Sequence, residues 1–470
     1  MHHRIARVLV RGWLEIEQRY RGLARACRKL AYRGRVIPRA GLLRRWLTKA
    51  TPAAFSLYCI LAAFGTYFCV YAYRKPFTAA TFDGLTLGSI SLKTLYLGSQ
   101  VAGYTVSKFI GIRVVSEMPA HRRCLAIVGL IAIAELALLL FAITPAPVNA
   151  VWLFVNGLPL GMVFGMVLAF LEGRRMTEVL TAGLCASFIL SSGVLKSVGQ
   201  TLVLKYGVSE MWMPVTTGFL FVPLLLLCVY LLGQIPPPDD RDIAQRARRE
   251  PMLKEHRIAF FRRHWVGVLG LIIVFLLLTI GRSLRDDFAV EIWRDLGIES
   301  EPSVYASTET VVMFGVLLLT GIGVYIRSNR RAFLASLVLS IAGFGTLAVS
   351  TILQGQGHLK PFAFMALSGL GLYVPYVAFH TTVFERLIAT FRERANIGYL
   401  MYLADAFGYL GYVAVLLLRN VTESIPDHLQ LYKTASLWIA GLSVLGVALV
   451  AVYFSRQMRE EPMLGAGEAG

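Results

Sequence analysis

Twelve stretches, each close to 20 residues long and dominated by apolar side chains, divide this 470-residue chain at nearly regular intervals. They fall at roughly 53–75, 91–112, 123–143, 148–171, 179–204, 213–233, 265–284, 305–326, 332–353, 361–383, 396–418 and 434–455. A helix rises about 1.5 Å per residue, so about 20 residues match the hydrocarbon core of a bilayer. Hydrophobic residues make up 56% of the chain and charged ones 16%. A soluble chain cannot hide that much apolar surface, because its exterior must stay largely polar. Segments of about ten residues with alternating polarity are missing, which argues against a membrane barrel. The expected fold class is an all-α membrane protein with twelve transmembrane helices in two six-helix bundles.

Loop charge sets the expected orientation, because cytoplasmic loops concentrate Lys and Arg. Loops 113–123, 172–178, 234–264, 327–331 and 384–395 carry 19 such residues, and the alternate set carries 6. Residues 1–50 add 14 more, against the two acids Glu15 and Glu17. Both termini are therefore expected in the cytoplasm of a multi-pass protein of the inner membrane. The acidic stretch Asp286, Asp287, Glu291, Asp295, Glu299 and Glu301 then falls in an outer loop. Residues 1–50 hold Ile5, Val8, Leu9, Trp13, Ile16, Tyr20 and Leu23 at helical spacing among arginines. That pattern suits a surface helix on anionic lipid, or equally a disordered basic tail. The net charge of +19 gathers in this tail and in the inner loops, so it does not indicate nucleic-acid binding.

The longest polar interruption, 234–264, opens with Pro236-Pro237-Pro238 and divides the spans six and six. The expected domains are a tail (1–50), a first bundle (51–233), a linker (234–264), a second bundle (265–456) and a tail (457–470). Short basic inner loops follow the second span of each half, His121-Arg122-Arg123 and Arg327-Ser328-Asn329-Arg330-Arg331. This is the pattern of a parallel-repeat carrier, whose solute site lies where the halves meet.

Charges inside the spans carry the functional argument, since each costs about 2.5–3.5 kcal/mol at a helix centre on insertion scales. Arg74 and Arg282 hold corresponding places in the first and seventh spans, near the side where cations are disfavoured. Tyr67, Tyr71 and Arg74 are spaced i, i+4, i+7 and so share one helical face. Two arginines facing each other across a cavity can clamp an oxyanion with paired N–H donors, which lysine cannot reproduce. The competing reading has both stems snorkelling to the headgroups. Lys75 sits beside Arg74, and Lys108 continues a stripe with Tyr96, Gln100 and Tyr104 at i+4 spacing. Lys108 also suits an inner-end lysine reaching the cytoplasm. Lys196, with Ser192 and Gln200 on its face, calls for a cavity or for an ion pair with Glu135, Glu309 or Asp405; Lys93 reads as interfacial. Tyr373, Tyr376 and His380 share one face, and Tyr402, Asp405, Tyr409 and Tyr412 another. His380 or Asp405 can carry a proton or supply a counter-charge. Glu172 with Arg174 and Arg175 is expected to brace an inner gate.

At these residues the chain resembles the major facilitator superfamily, and within it the organophosphate:phosphate antiporters. Tyr71-Ala72-Tyr73-Arg74-Lys75-Pro76-Phe77 resembles that family's Arg-Lys-Asn-Phe end of the first helix, whose arginine binds phosphate. Tyr104-Thr105-Val106-Ser107-Lys108-Phe109 resembles its Tyr-Gly-x-Ser-Lys-Phe second helix, and Arg282 falls at its second phosphate-binding arginine. The family's Asp-Arg-x-Asn-Pro-Arg loop is replaced by Val115-Ser116-Glu117-Met118-Pro119-Ala120-His121-Arg122-Arg123, and its fifth-helix histidine has no match. The chain also resembles a less characterised bacterial branch of facilitator-like proteins, which implies no known substrate.

The expected function is therefore secondary transport of a small anionic, phosphorylated solute, as an antiporter acting as a monomer. Two alternatives stay open: a proton-coupled carrier of a neutral or weakly acidic solute, and a non-transporting sensor or scaffold. The six cysteines fall mostly in apolar runs without metal-ligand spacing. No phosphate-binding glycine loop or nucleophile elbow occurs, so neither an enzyme nor a cofactor is expected.

Overall fold

The computed structural model describes residues 42–88, 90–174, 176–238, 254–299, 301–321, 326, 328–391, 397–422 and 427–464. The surface helix expected over Ile5 to Leu23 lies outside these residues; the described part of 1–50 holds α1 (Leu42–Leu47), in a separate compact unit ending at Ala50. From Thr51 onward the chain is almost wholly helical. The first six long or membrane-length helices are α2 (Pro52–Val70), α3 (Leu92–Glu117), α4 (Arg123–Ile143), α5 (Ala150–Leu171), α6 (Thr177–Tyr206) and α7 (Met213–Gly233). The second series runs α8 (Lys254–Asp287), a short α9 (Ala289–Asp295), α10 (Ser303–Gly321), α11 (Asn329–Gly355), α12 (Pro361–Ala378), a short α13 (Phe384–Thr390), α14 (Ile397–Thr422) and α15 (His428–Leu464). A two-residue hairpin, β1 (Thr86–Leu87) against β2 (Ile90–Ser91), is the sheet found among the described residues.

Local chemistry explains where these helices begin. Thr51 accepts a hydrogen bond from the Ala54 N–H at 3.3 Å, and Pro52 fills the first helical position, where its missing N–H is no loss. Ser91 caps α3 in the same way through the Thr94 N–H.

Eleven stretches among the described residues are long and apolar enough to cross a membrane. The twelfth expected span is α3, whose 26 residues give it the length but not the hydropathy. Its polar stripe is turned inward: Gln100, Tyr104 and Lys108 are all buried. The polar residues that lower its hydropathy therefore face protein, where partners can satisfy them.

Within the first series α2 packs on α6 and α7, α3 on α5, and α4 on α5 and α7. In the second, α8 packs on α14 and α15, and α11 on α12 and α15. The two series meet along α6–α10 and α3–α14. Glycines set the closest approach, between α3 and α5. A Cβ on Gly157 would strike the Gln100 carbonyl, and one on Gly103 the Phe154 carbonyl. Small residues that let backbones touch are the usual glue between helices in lipid.

Two departures from the expected spans shape the centre of the molecule. Helix α8 runs to Asp287, beyond the expected end at 284, so the first acids of the supposed outer loop belong to the helix. In the second series α12 contains Pro375 and passes into a π-helical segment, Phe379–Val383, that carries His380. Such wide turns relieve the hydrogen-bonding that proline disrupts and recur at functional sites.

Candidate functional site

Helix α2 ends at Val70, and a 3-10 turn carries Tyr71–Tyr73 toward Arg74. Pro76 lacks an N–H and its ring would clash with the carbonyl four residues back, so the regular helix cannot run through it. Tyr67, Tyr71 and Arg74 thus straddle a helix end instead of sharing one uninterrupted face. All three still line a central cavity, with Tyr104 and Lys108 from α3 and with Phe164 and Phe188 from α5 and α6. Tyr376, His380, Asp405 and Tyr409 close it from the second series. Its cavity volume is about 10 Å³, room for about one water.

The two arginines converge on Tyr409 in its wall, Arg74 from within the lining and Arg282 from behind it. Arg74 donates to the Tyr409 hydroxyl at 3.4 Å, and Arg282 donates to the same oxygen at 3.2 Å. Two nitrogens that reach one oxygen are close enough for one small solute to bridge. Their exposures are 6% and 3%, so neither head snorkels to lipid or water. The Arg74 guanidinium lies 4.1 Å from the Tyr104 ring centre, and that of Arg282 lies 4.6 Å from the Tyr376 ring centre. Among the described residues neither arginine has a carboxylate within ion-pair distance, and the Arg282 Nε has no hydrogen-bond partner. Cation–π contact recovers only part of the cost of burying a guanidinium.

Below the arginines, Lys108 is paired with Asp405 at 2.9 Å. His380 turns its Nδ1 to the Tyr376 carbonyl at 2.9 Å and its Nε2 toward Asp405, 3.9 Å away. Lys108 therefore does not reach the cytoplasm. Asp405 cancels its charge, leaving the two guanidinium charges uncompensated.

Lys75 points away from the cavity into a second cluster, with Asp286 and Asp287 each at 2.5 Å. Lys196 and Ser192 also hold Asp286, and Lys93 holds Glu291. These findings correct three expectations. The partner of Lys196 is Asp286, because α8 is longer than its hydropathy suggests; Glu135, Glu309 and Asp405 are not its partners. Lys93 is buried at 3% exposure instead of sitting in the interface. Asp286, Asp287 and Glu291 are buried instead of lying in a solvated loop. Each of these pairs joins a lysine of the first series to an acid of the second. Arg285, counted from sequence as a loop residue, is buried and bonds Glu309 at 2.6 Å and the Met365 carbonyl at 2.8 Å. Glu309 is thereby drawn outside the cavity lining.

Residues 76–457 match the family described as "Family of unknown function (DUF5690)". The chain belongs to that family. Its fold is that of the major facilitator transporters. A crystal structure of a D-xylose-proton symporter aligns with TM-score 0.52 and 12% identity, over 84% of this chain and 97% of that one. One of the nucleoside transporter NupG aligns with TM-score 0.53 and 15% identity, over 85% and 99%. No curated protein matches the sequence.

In this member of the DUF5690 family the residues expected to brace an inner gate have varied settings. Arg175 lies outside the described residues. Arg174 is buried, its Nε on the Phe170 carbonyl at 3.4 Å and another nitrogen on the Pro236 carbonyl. Glu172 caps the end of α5, its N–H on the Leu168 carbonyl. Among the described residues, Arg386 with Glu178, at 2.8 Å, links the two series on this side. Sequence reasoning missed that pair because each residue stands alone at a helix end, with no spacing to connect positions 208 residues apart.

Proposed function

We propose that this protein is a secondary carrier for a small anion, which it binds between Arg74 and Arg282 and moves by alternating access. One observation carries the reading: a buried guanidinium from each series meets the other at the Tyr409 hydroxyl, with no carboxylate paired to either among the described residues. A bound anion supplies the missing charge. The fold shared with a sugar symporter and a nucleoside transporter supports transport as the class of activity. A phosphorylated solute suits the paired N–H forks, and exchange suits a carrier whose empty site holds two uncompensated charges. Tyr67, Tyr71 and Tyr104 frame the anion, and Lys108 with Asp405 sets the floor. The lysine–acid cluster around Asp286 and the Arg386–Glu178 pair act as the two gates. Both termini lie in the cytoplasm, with the basic tail on anionic lipid.

The test is thermal stabilisation of the purified protein by inorganic phosphate. Arg74→Lys and Arg282→Lys should each raise the phosphate concentration needed for a given shift by about tenfold or more, since a charge-assisted hydrogen bond contributes about 1.5–3 kcal/mol. Unchanged phosphate shifts in both variants would end the clamp.

A second reading draws on Asp405, whose Oδ1 has no hydrogen-bond partner among the described residues and faces His380. In it this pair exchanges a proton during transport. Uptake that follows an imposed pH gradient and ignores external phosphate would favour it.

A further inference from the structure

Two buried amides meet where the first spanning helix breaks. Arg74 has φ −112°, away from the helical value of about −63°. Beyond it Thr78 turns its N–H to the Lys75 carbonyl at 3.0 Å, where a continuous α-helix would give it to Arg74. The break leaves the Tyr73 and Arg74 carbonyls to side chains. Gln100 on α3 donates from one nitrogen to the Arg74 carbonyl at 3.0 Å and to the Asn156 Oδ1 at 2.8 Å. Asn156 on α5 donates to the Tyr73 carbonyl and to the Ala134 carbonyl on α4, each at 3.0 Å. Every N–H of the two amides is used, and both side chains are buried. The close contact of α3 with α5 at Gly157, next to Asn156, lets these short amides reach. Helix α3 holds Arg74 a second time, since Tyr104, one turn beyond Gln100, lies under its guanidinium.

We infer that Gln100 and Asn156 are positioning residues of the anion site: by holding two carbonyls of the broken helix, they aim the Arg74 guanidinium at Tyr409. The inference rests on the anion reading above and adds what keeps one of its two arginines in place. Arg74 is borne on a segment without the regular ladder of hydrogen bonds that sets a side chain's direction on a helix. A fully bonded amide network in a dry interior favours one geometry, because any other leaves a buried donor or acceptor unpaired. Arg282 needs no such device, since it stands on α8, whose departure from helical angles comes well before it, at His264. A comparison without the aiming role lies on the same helix. Tyr96, one turn before Gln100, donates to the Asn149 Oδ1 at 2.7 Å, and both are buried, but neither touches the segment that carries Arg74.

Equilibrium binding of radiolabelled inorganic phosphate to the purified full-length protein, with the melting temperature measured alongside, tests the role. Gln100→Met keeps the length and loses both N–H donors, and Asn156→Leu keeps the size. Each should raise the dissociation constant for phosphate by about tenfold, the scale of one hydrogen bond. Should either fail to fold, the other carries the comparison. Tyr96→Phe breaks a buried hydrogen bond of α3 away from the site, so it should lower the melting temperature and leave phosphate binding unchanged. With Arg74→Lys already in place, Gln100→Met should add less than about twofold, because the group it aims is gone. Phosphate binding changed by the amide variants no more than by Tyr96→Phe would overturn the positioning role and leave the anion site standing. So would the same further loss from Gln100→Met when Arg74→Lys is present. Unmodified protein that binds no phosphate would overturn both.

Discussion

Arg282 and Arg285 lie one turn apart on α8 with opposite surroundings. Arg285 is neutralised by Glu309 and held by a carbonyl, whereas Arg282 has only rings and a phenol. A buried, paired cation is structural bracing; a buried cation without its counter-charge is the arrangement on which the proposed anion site rests. Glu135 presents the inverse case. It is 8% exposed, midway along α4 against Gly218, and neither carboxylate oxygen has a hydrogen-bond partner among the described residues. Leaving such a group unsatisfied costs about 1–3 kcal/mol. Glu135→Met keeps the length and removes the polar atoms, so it should raise the melting temperature of the purified protein by several degrees. A lower melting temperature would mean that the carboxylate has a partner after all. Residue chemistry of this kind was partly legible beforehand. Arg74 and Arg282 stood out because each breaks an apolar run at an equivalent place in its half. Arg285 did not, because only the tertiary fold continues α8 past the point where hydropathy falls.

Among the elements, α3 shows how much a helix can depend on its neighbours. Its polar stripe serves the cavity, and its opposite requirement, close contact with α5, is met by glycine. Gly157→Ala would drive a methyl into the Gln100 carbonyl, an overpacking that costs about 1–3 kcal/mol. Gly129→Ala on α4, with nothing within 4 Å of the new methyl, should leave stability unchanged or slightly improved. Comparing the melting temperatures of the two variants checks the packing, and equal effects would refute it. The sequence showed α3 as a span with an odd stripe, since i+4 spacing is a local property. That the stripe pairs with Asp405, 297 residues away, is a property of the assembled fold.

For the molecule as a whole, the charge pairs form two layers with the arginine cavity between them. On one side Lys75, Lys93 and Lys196 grip Asp286, Asp287 and Glu291; on the other, Arg386 grips Glu178. Truncating one partner of a buried pair is severe, about 3–5 kcal/mol, because it strands the other charge. Glu291→Gln strands Lys93 and should loosen the first layer. A cysteine introduced as Thr78→Cys, at a site 1% exposed beside the Lys93 ammonium, should then react faster with a membrane-impermeant maleimide once the native cysteines are replaced. Equal reaction rates with and without Glu291→Gln would show that the pair does not hold the layer shut. Lys75 and Lys196 were visible in the sequence as charges inside spans and Lys93 read as interfacial, but their acids were hidden in what read as a solvated loop.

The narrowness of the central space has one more consequence. A chamber with room for about a single water admits no larger guest until the side chains of its wall, drawn from both series of helices, move apart.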